Sequence, residues 1–370
     1  MSGWLALLAN LVVLGLLGTF AWLQASYPHL YYRSVQEDQA LEWASFWSFL
    51  IAGVVFAVAA GRQRRTTGAF PWFFAGLGLF CVFVAMEEIS WGQRIFGQRP
   101  PVYFLAQNYQ QELNVHNIAS TEVRLLVFRG IILGYGVMLP LVALIPCMRR
   151  LLDRLVIVPP PVELTPSMFA LFWMHLWYPW KFTGEVIEGA LGLAFLFVAI
   201  ANAADFSKGR PRGSLIWAAG GVALVAGLSF STAWWSQNRQ SAEPTNLESA
   251  RRETEALKND LQALAAGAGK PAITKCGLHK RLYTLVEQKE YARPLQEMSF
   301  AALTKGDLAE ARAEFFLDPW NLPYWIRDRC DRSAGRRVVF VYSFGPNRSR
   351  DSSRWEILGD DIGQYVLVEP

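Results

Sequence analysis

Between Glu87 and Asn117 the chain reads EEISWGQRIFGQRPPVYFLAQNYQQELNVHN, a polar stretch set between two long apolar segments. Glu87 and Glu88 are adjacent carboxylates, Arg94 follows, and Glu112 and His116 stand four residues apart. Polar groups where a chain leaves a bilayer are costly unless paired or wet, so their default reading is functional. Three kinds of chemistry suit these residue types. Carboxylates with a histidine can hold a divalent metal that activates water. A glutamate with His116 can form a general acid–base pair. Arg94, Arg124 and Arg129 can grip an anionic lipid head group.

Spacing sets the expected geometry. On a helix continuing past the membrane, Glu87, Ser90 or Trp91, and Arg94 share a face. A helical turn would likewise stack Glu112 on His116 as metal ligands. The bland alternative is an ion pair closing a helix end. Further along, His175, Arg129 and Glu188 are candidates for the same site, and Glu185 at a helix start complements the helix dipole. A pocket of Glu87, Glu88, His116, Arg129, His175 and Glu188 is geometrically possible. HExxH, GxSxG and P-loop signatures and a cysteine–histidine nucleophile are all missing from the sequence, as is the HxxxH pair that seven-span zinc hydrolases of ceramide require.

The elements that must position these residues are apolar. The chain has 370 residues, 52% hydrophobic and 14% aromatic, with fifteen tryptophans, which is more apolar than a soluble domain usually is. Apolar runs fill it to about Trp235 and charge is dense thereafter. This predicts a multi-pass membrane domain over 1–235 and a soluble domain over 236–370. About seven spans fit: Trp4–Gln24, Ala44–Ala60, Ala69–Met86, Val123–Cys147, Leu164–Trp180, Glu185–Ala203 and Ser214–Trp234. The first lacks the basic start of a signal peptide and reads as retained.

Arginine and lysine clusters follow the second, fourth and sixth spans, at Arg62–Arg65, Arg149–Arg154 and Lys208–Arg212. They all fall on one side, which the positive-inside rule makes cytoplasmic together with the N-terminus. The Glu87–Asn117 stretch and the C-terminal domain then lie outside, in the periplasm if the membrane is a bacterial inner membrane. The net charge of +4 is too small to argue for nucleic acid.

In the soluble part, Leu247, Ala250, Thr254, Leu257, Leu261 and Leu264 recur at helical spacing, with Thr245 or Asn246 as cap. Their apolar seam fits a face of the same domain better than a partner helix. The region Leu278–Phe316 reads as mostly helical, and RRVVFVYSF and QYVLV read as strands. Four cysteines are too few for a disulfide framework; Cys81 and Cys147 lie in apolar runs, while Cys276 and Cys330 can pair if their compartment is oxidising.

LDPWNLPYWIR, then VVFVYSFGPN, then GDDIG, resembles the C-terminal region of the major pseudopilins of type II secretion over roughly the last 55 residues. The amphipathic helix would match the stem of those proteins. The resemblance implies a pilin-like α+β head, pilin-like or secretion-system partners, and calcium held by Asn347, Asp360 and Asp361, with Asn347 standing where the family usually has Asp. Ser214–Trp234 lacks the leader and helix glutamate of a pilin, so cleavage by a prepilin peptidase and polymerisation are not expected. A rival reading takes YARPLQEMSFAALTKGDLAEARAEFFLDPWN as a tetratricopeptide-like unit, although one unit cannot bury its own face.

The expected architecture is thus a polytopic α-helical membrane bundle of about seven spans with a C-terminal extracytoplasmic α+β pilin-like domain. Two functional classes remain open. The bundle is an enzyme or binder of a lipid-linked or envelope substrate, with membrane lipids around it. Alternatively, the protein is a non-catalytic component that assembles secretion or pilus-like machinery through its head.

Overall fold

A computed structural model describes residues 3–96, 98, 100–101, 104, 108, 112–205, 211–240, 244–267, 276–282, 317–320, 322–331, 333–348 and 350–369. The chain divides into two compact units, Met1–Trp91 with Ala119–Trp234, and Gly92–Ile118 with Trp235–Pro370.

The first unit is helical. Its elements are α1 (Gly3–Ser26), α2 (Pro28–Ser34), α3 (Ala40–Thr67), α4 (Trp72–Glu88), α5 (Thr121–Arg129), α6 (Pro146–Arg154), α7 (Thr165–Trp177), α8 (Thr183–Asp205) and α9 (Pro211–Gln240). Helix α5 runs on through a π-helical stretch, Gly130–Met138, to Val142. Among the described residues five helices are long and apolar enough to cross a membrane: Gly3–Ser26, Ala40–Thr67, Glu122–Val142, Thr183–Ala203 and Ser214–Asn238. The other two expected spans form shorter helices, 17 residues in α4 and 13 in α7.

Helix α8 is the axis of this unit, and its apolar window is 89% buried. Small residues let its neighbours approach closely, as in membrane bundles generally. A Cβ on Gly192 of α8 would lie 3.1 Å from Ser48 Cβ and 3.2 Å from the Phe49 ring of α3. A Cβ on Gly53 of α3 would lie 2.8 Å from Val82 and 3.1 Å from the Gly78 carbonyl of α4. Phe49 and Phe195 meet at 5.6 Å between ring centres along the same contact. Polar ties link outer helices: Ser167 Oγ donates to Asn10 Oδ1 at 2.6 Å, and Trp47 Nε1 to Thr232 Oγ1 at 3.2 Å.

In the second unit, α10 (Pro244–Gly267) packs on an antiparallel sheet of β1 (His279–Arg281), β2 (Trp325–Asp331), β3 (Arg336–Ser343) and β4 (Ile362–Glu369), in that order. The periodic face of α10 meets its own domain: Leu257 and Leu261 cluster with Tyr324, Ile326, Val339, Val341 and Val366. Phe340, Tyr342 and Phe344 form a second cluster with Leu322 and Val338. Strands β3 and β4 fall where the two β-branched runs predict them, with a bulge at Val339/Phe340. Cys276 and Cys330 are joined by a disulfide, with Cα atoms 5.6 Å apart.

Two expectations for this unit are corrected. Helix α10 starts at Pro244 rather than behind a Thr245 or Asn246 cap, because proline suits a first helical turn, where its missing N–H has no partner to lose. His279–Arg281 is a strand paired with Trp325–Arg327 rather than the start of a helix, because backbone bonding across the sheet overrides local preference. Most of the tetratricopeptide-like stretch falls in 283–316, outside the described residues.

Replacing Gly192 with valine should overpack the α3–α8 contact at a cost of about 1–3 kcal/mol. The thermal midpoint of the detergent-purified protein is expected to drop by several degrees, whereas Gly15→Val on the open surface of α1, where a Cβ meets nothing, should leave it nearly unchanged.

Candidate functional site

The predicted helix past the membrane does not form. Helix α4 ends at Glu88, and Ser90, Trp91 and Gly92 follow with φ of 48°, 53° and 78°. Three consecutive left-handed residues reverse the chain, so Glu87 and Arg94 do not share a helical face. The two adjacent glutamates consequently part company. Glu87, 4% exposed, accepts a 2.6 Å hydrogen bond from Trp91 Nε1, and Trp91 rests edge-on against Phe83. This contact closes the helix end.

Glu88 is partly buried and turns to the other helices. It lies in the field of the carboxylates of Glu188 and Glu185 on α8 and Glu42 on α3, with the Ser45 hydroxyl facing it. Glu42 and Glu185 sit in the first turns of their helices, where the positive end of the helix dipole favours a carboxylate. Glu42 also accepts the Asp38 backbone N–H, which fixes the turn entering α3. Glu88 has the opposite placement. It is the last residue of α4, at the negative end of that helix, so neither the dipole nor its acidic neighbours favour its charge. Burial and these neighbours together favour the protonated form of Glu88.

At the same boundary Tyr178 accepts the Gly184 N–H at 3.3 Å. Partial burial, with Glu185 and Glu188 beside it, holds its phenol above the usual range, and Arg124 pulls the other way. Tyr31 of α2 donates to the Lys181 carbonyl at 2.8 Å and meets Trp180 edge-on, securing the turn before α8. His175 stacks on Phe128 at 5.6 Å, with the Arg129 charge near it.

Of the sequence candidates, Glu188 bears electrostatically on Glu88 and Arg129 on His175, while Glu87 is engaged locally by Trp91. Arg94, Glu112 and His116 belong to the second unit, and the Arg94 side chain lies outside the described residues. The helical Glu112–His116 pair is also corrected: residues 112–118 form bends and turns. Asn108 Nδ2 takes the Glu112 carbonyl at 2.6 Å, and such side-chain bonding to backbone groups competes with helix formation. Glu42 and Ser45 were missed. The alternation of spans gave a signal for Glu42, since the start of the second span falls on the same side as the end of the third.

The calcium candidates in the second unit converge around a residue not foreseen. Asp351 Oδ2 accepts from Asn347 Nδ2 at 2.7 Å and from the Asp360 N–H at 3.2 Å. Asp361 accepts the N–H groups of Ser352 and Asp351 at 2.8 and 3.2 Å. Burial pushes the Asp361 carboxyl up to about 6, the hydrogen bonds hold it down, and the charge of Asp351 adds to the rise. The hydrogen bonds to these two carboxylates come from N–H donors, of the Asn347 amide and the backbone of Asp351, Ser352 and Asp360. Asp318, of the DPW turn, accepts from the N–H groups of Trp320 and Leu322 and from Ser343 Oγ at 2.5 Å. Its carboxyl is likewise pushed up to about 6 by burial, against the pull of these donors and of Arg348. Among the described residues, no group of three His, Cys, Asp or Glu is placed to hold a metal.

Comparison of the chain with protein-family models, with curated proteins and with solved structures finds no match.

The raised carboxyls of Asp318 and Asp361 set a pH dependence. Their folded values lie above the unfolded value, so their stabilising protonation is complete below about pH 4 and is lost as pH rises through about 6. Hydrogen exchange of the β3–β4 peptides in the chelator-treated protein should therefore quicken between pH 4 and 6 after correction for intrinsic exchange rates. Asp361→Asn should flatten that rise, because one of the two titrating groups is removed.

Proposed function

We propose that the first unit is a multi-pass membrane domain whose outward boundary carries an acid–base or binding site for a lipid-linked or envelope substrate. The burial of Glu88 within the electrostatic reach of Glu188, Glu185 and Glu42 carries this reading. Acidic neighbours on two other helices add to the cost of a charge on Glu88, and a fold bears such a cost where function selects for it. In this reading Glu88 carries the shared proton, Glu188 is the partner that takes or returns it, and Tyr178 and Arg124 face the polar or anionic part of the substrate.

Orientation is supported twice. The basic clusters follow alternate spans of a seven-span arrangement in which α4 and α7 count as short crossings, so that the second unit faces outward. The Cys276–Cys330 disulfide suits an oxidising compartment such as the periplasm.

A second reading, assembly of secretion or pilus-like machinery through the head, draws on the motif resemblance and on the packing of α10 against an antiparallel sheet. In it, Asp351, Asp361 and the Asn347 amide oxygen would hold calcium, with Asp351 in the role first expected of Asp360. The ion would supply positive charge that ties the loop before β4 to the sheet edge.

Two measurements on the detergent-purified protein test the boundary site. Glu88→Gln puts a neutral amide where burial and acidic neighbours already favour a neutral group, so its thermal midpoint should equal or exceed that of the unaltered chain, while native mass spectrometry shows loss of a co-purifying lipid-linked species. A midpoint lowered by several degrees would make Glu88 a structural tie and end this reading. Glu87→Gln, which weakens the bond from Trp91, should instead cost about 1 kcal/mol.

A further inference from the structure

The short helix α6, Pro146–Arg154, lies outside the membrane-length helices and sorts its residues by kind. Pro146 opens it behind an extended Ile145, the conformation proline favours in the residue before it. At the other end the Ile157 N–H returns to the Leu152 carbonyl at 2.9 Å. One line of the helix carries Cys147, Leu151 and, at its end, Leu155, and the adjacent line carries Met148 and Leu152. Arg149, Arg150, Asp153 and Arg154 occupy the opposite side.

Burial separates the two apolar lines. Leu152 is buried and Met148 half-buried, whereas Leu151 and Leu155 are each 47% exposed and Cys147 is exposed as well. Trp72, at the start of α4, donates its Nε1 to the Leu155 carbonyl at 2.9 Å. That bond sets the end of α6 beside an indole that is itself exposed. Tryptophan so placed suits a membrane–water interface. A helix with one apolar flank open and its charges opposite suits the same layer.

The charged side is unbalanced. Asp153 pairs with Arg149 at 3.2 Å. Arg150 and Arg154 stand one turn apart and exposed, and among the described residues neither meets a carboxylate; the Arg150 Nε donates to the Pro146 carbonyl at 3.3 Å. Two guanidinium groups at that spacing repel each other, and a phosphate accepts hydrogen bonds from both. A nucleic acid or an acidic protein would answer the arginines and leave the exposed leucines unmatched. A phospholipid presents an anion and hydrocarbon together. The positive-inside rule puts α6 at the cytoplasmic leaflet, whose lipids carry negative charge. We propose that α6 is an interfacial helix that holds an anionic phospholipid, its phosphate on Arg150 and Arg154 and its acyl chains along Leu151 and Leu155. This role rests on the reading of the first unit as a membrane domain and is independent of the carboxylates at the outward boundary.

Native mass spectrometry of the full chain in detergent, titrated with phosphatidylglycerol, phosphatidylcholine or inorganic phosphate, tests this. Phosphatidylglycerol should bind at least tenfold more tightly than phosphatidylcholine, and inorganic phosphate should not be retained. Arg150→Gln with Arg154→Gln should remove most of that preference, at about fivefold per arginine. Arg64→Gln with Arg65→Gln, an equal loss of charge on the same side, should leave it. All four arginines are exposed, so the thermal midpoints of both double variants should stay near that of the unaltered chain. A nitroxide on Cys147, the exposed one of the two free cysteines, should be reached by oxygen ahead of a water-soluble nickel complex in phosphatidylglycerol vesicles. Equal binding of the two lipids, a preference that survives Arg150→Gln with Arg154→Gln, or nickel access ahead of oxygen overturns the proposal. Inorganic phosphate held as firmly as the lipid overturns lipid as the source of the anion. A chain that stays in solution without detergent overturns the membrane reading itself, and this role with it.

Discussion

Close approach of α3 to both α4 and α8 is the contact on which the first unit depends. Lipid tails are as apolar as leucine, so helices in a bilayer gain little from hiding apolar surface and must gain from contact itself. Gly53, Gly78 and Gly192 remove the side chains that would hold the backbones apart. The same approach brings the start of α3, the end of α4 and the start of α8 to one place. Helix ends brought close together put the charges of their terminal residues within electrostatic reach of one another.

These residues carry negative charge. For Glu42 and Glu185 the local backbone accounts for the carboxylate, since each lies at the favourable end of its own helix. Glu88 has no such support, and Glu188 lies a turn deeper. Adjacent glutamates in one sequence serve two ends: Glu87 is used by Trp91 to finish α4, and Glu88 is left to the interhelical cluster. The reversal at Ser90–Gly92 makes this division, because it folds Trp91 back over the end of the helix.

The head uses buried carboxylates differently. Asp318 receives backbone donors, the Ser343 hydroxyl and the charge of Arg348, a residue 2% exposed. It pins the DPW turn to the end of β3, and Gly345 N–H returns to Ser343 Oγ at 2.8 Å to start the next loop. The DPW turn and the FGPN segment are thus tied by a set of backbone fastenings. Asp361 fastens the other end of that loop through Ser352 and Asp351.

The sequence by itself determined the elements whose cause is local. Five apolar runs give membrane-length helices, the three-and-four spacing of Ala250 to Leu261 gives the buried face of α10, and β-branched runs give β3 and β4. Each follows from a periodicity or length that neighbouring residues express together. Only the tertiary structure decided which carboxylates meet, that Trp91 takes Glu87, that Asp351 is the centre of the loop before β4, and that Cys276 reaches Cys330. Glu42 and Glu188 are far apart along the chain, and their separation in space depends on helix contacts with no short-range signature. The left-handed turn at Ser90–Trp91 was illegible for a related reason. Neither residue favours positive φ, so that conformation is held by surrounding structure against local preference.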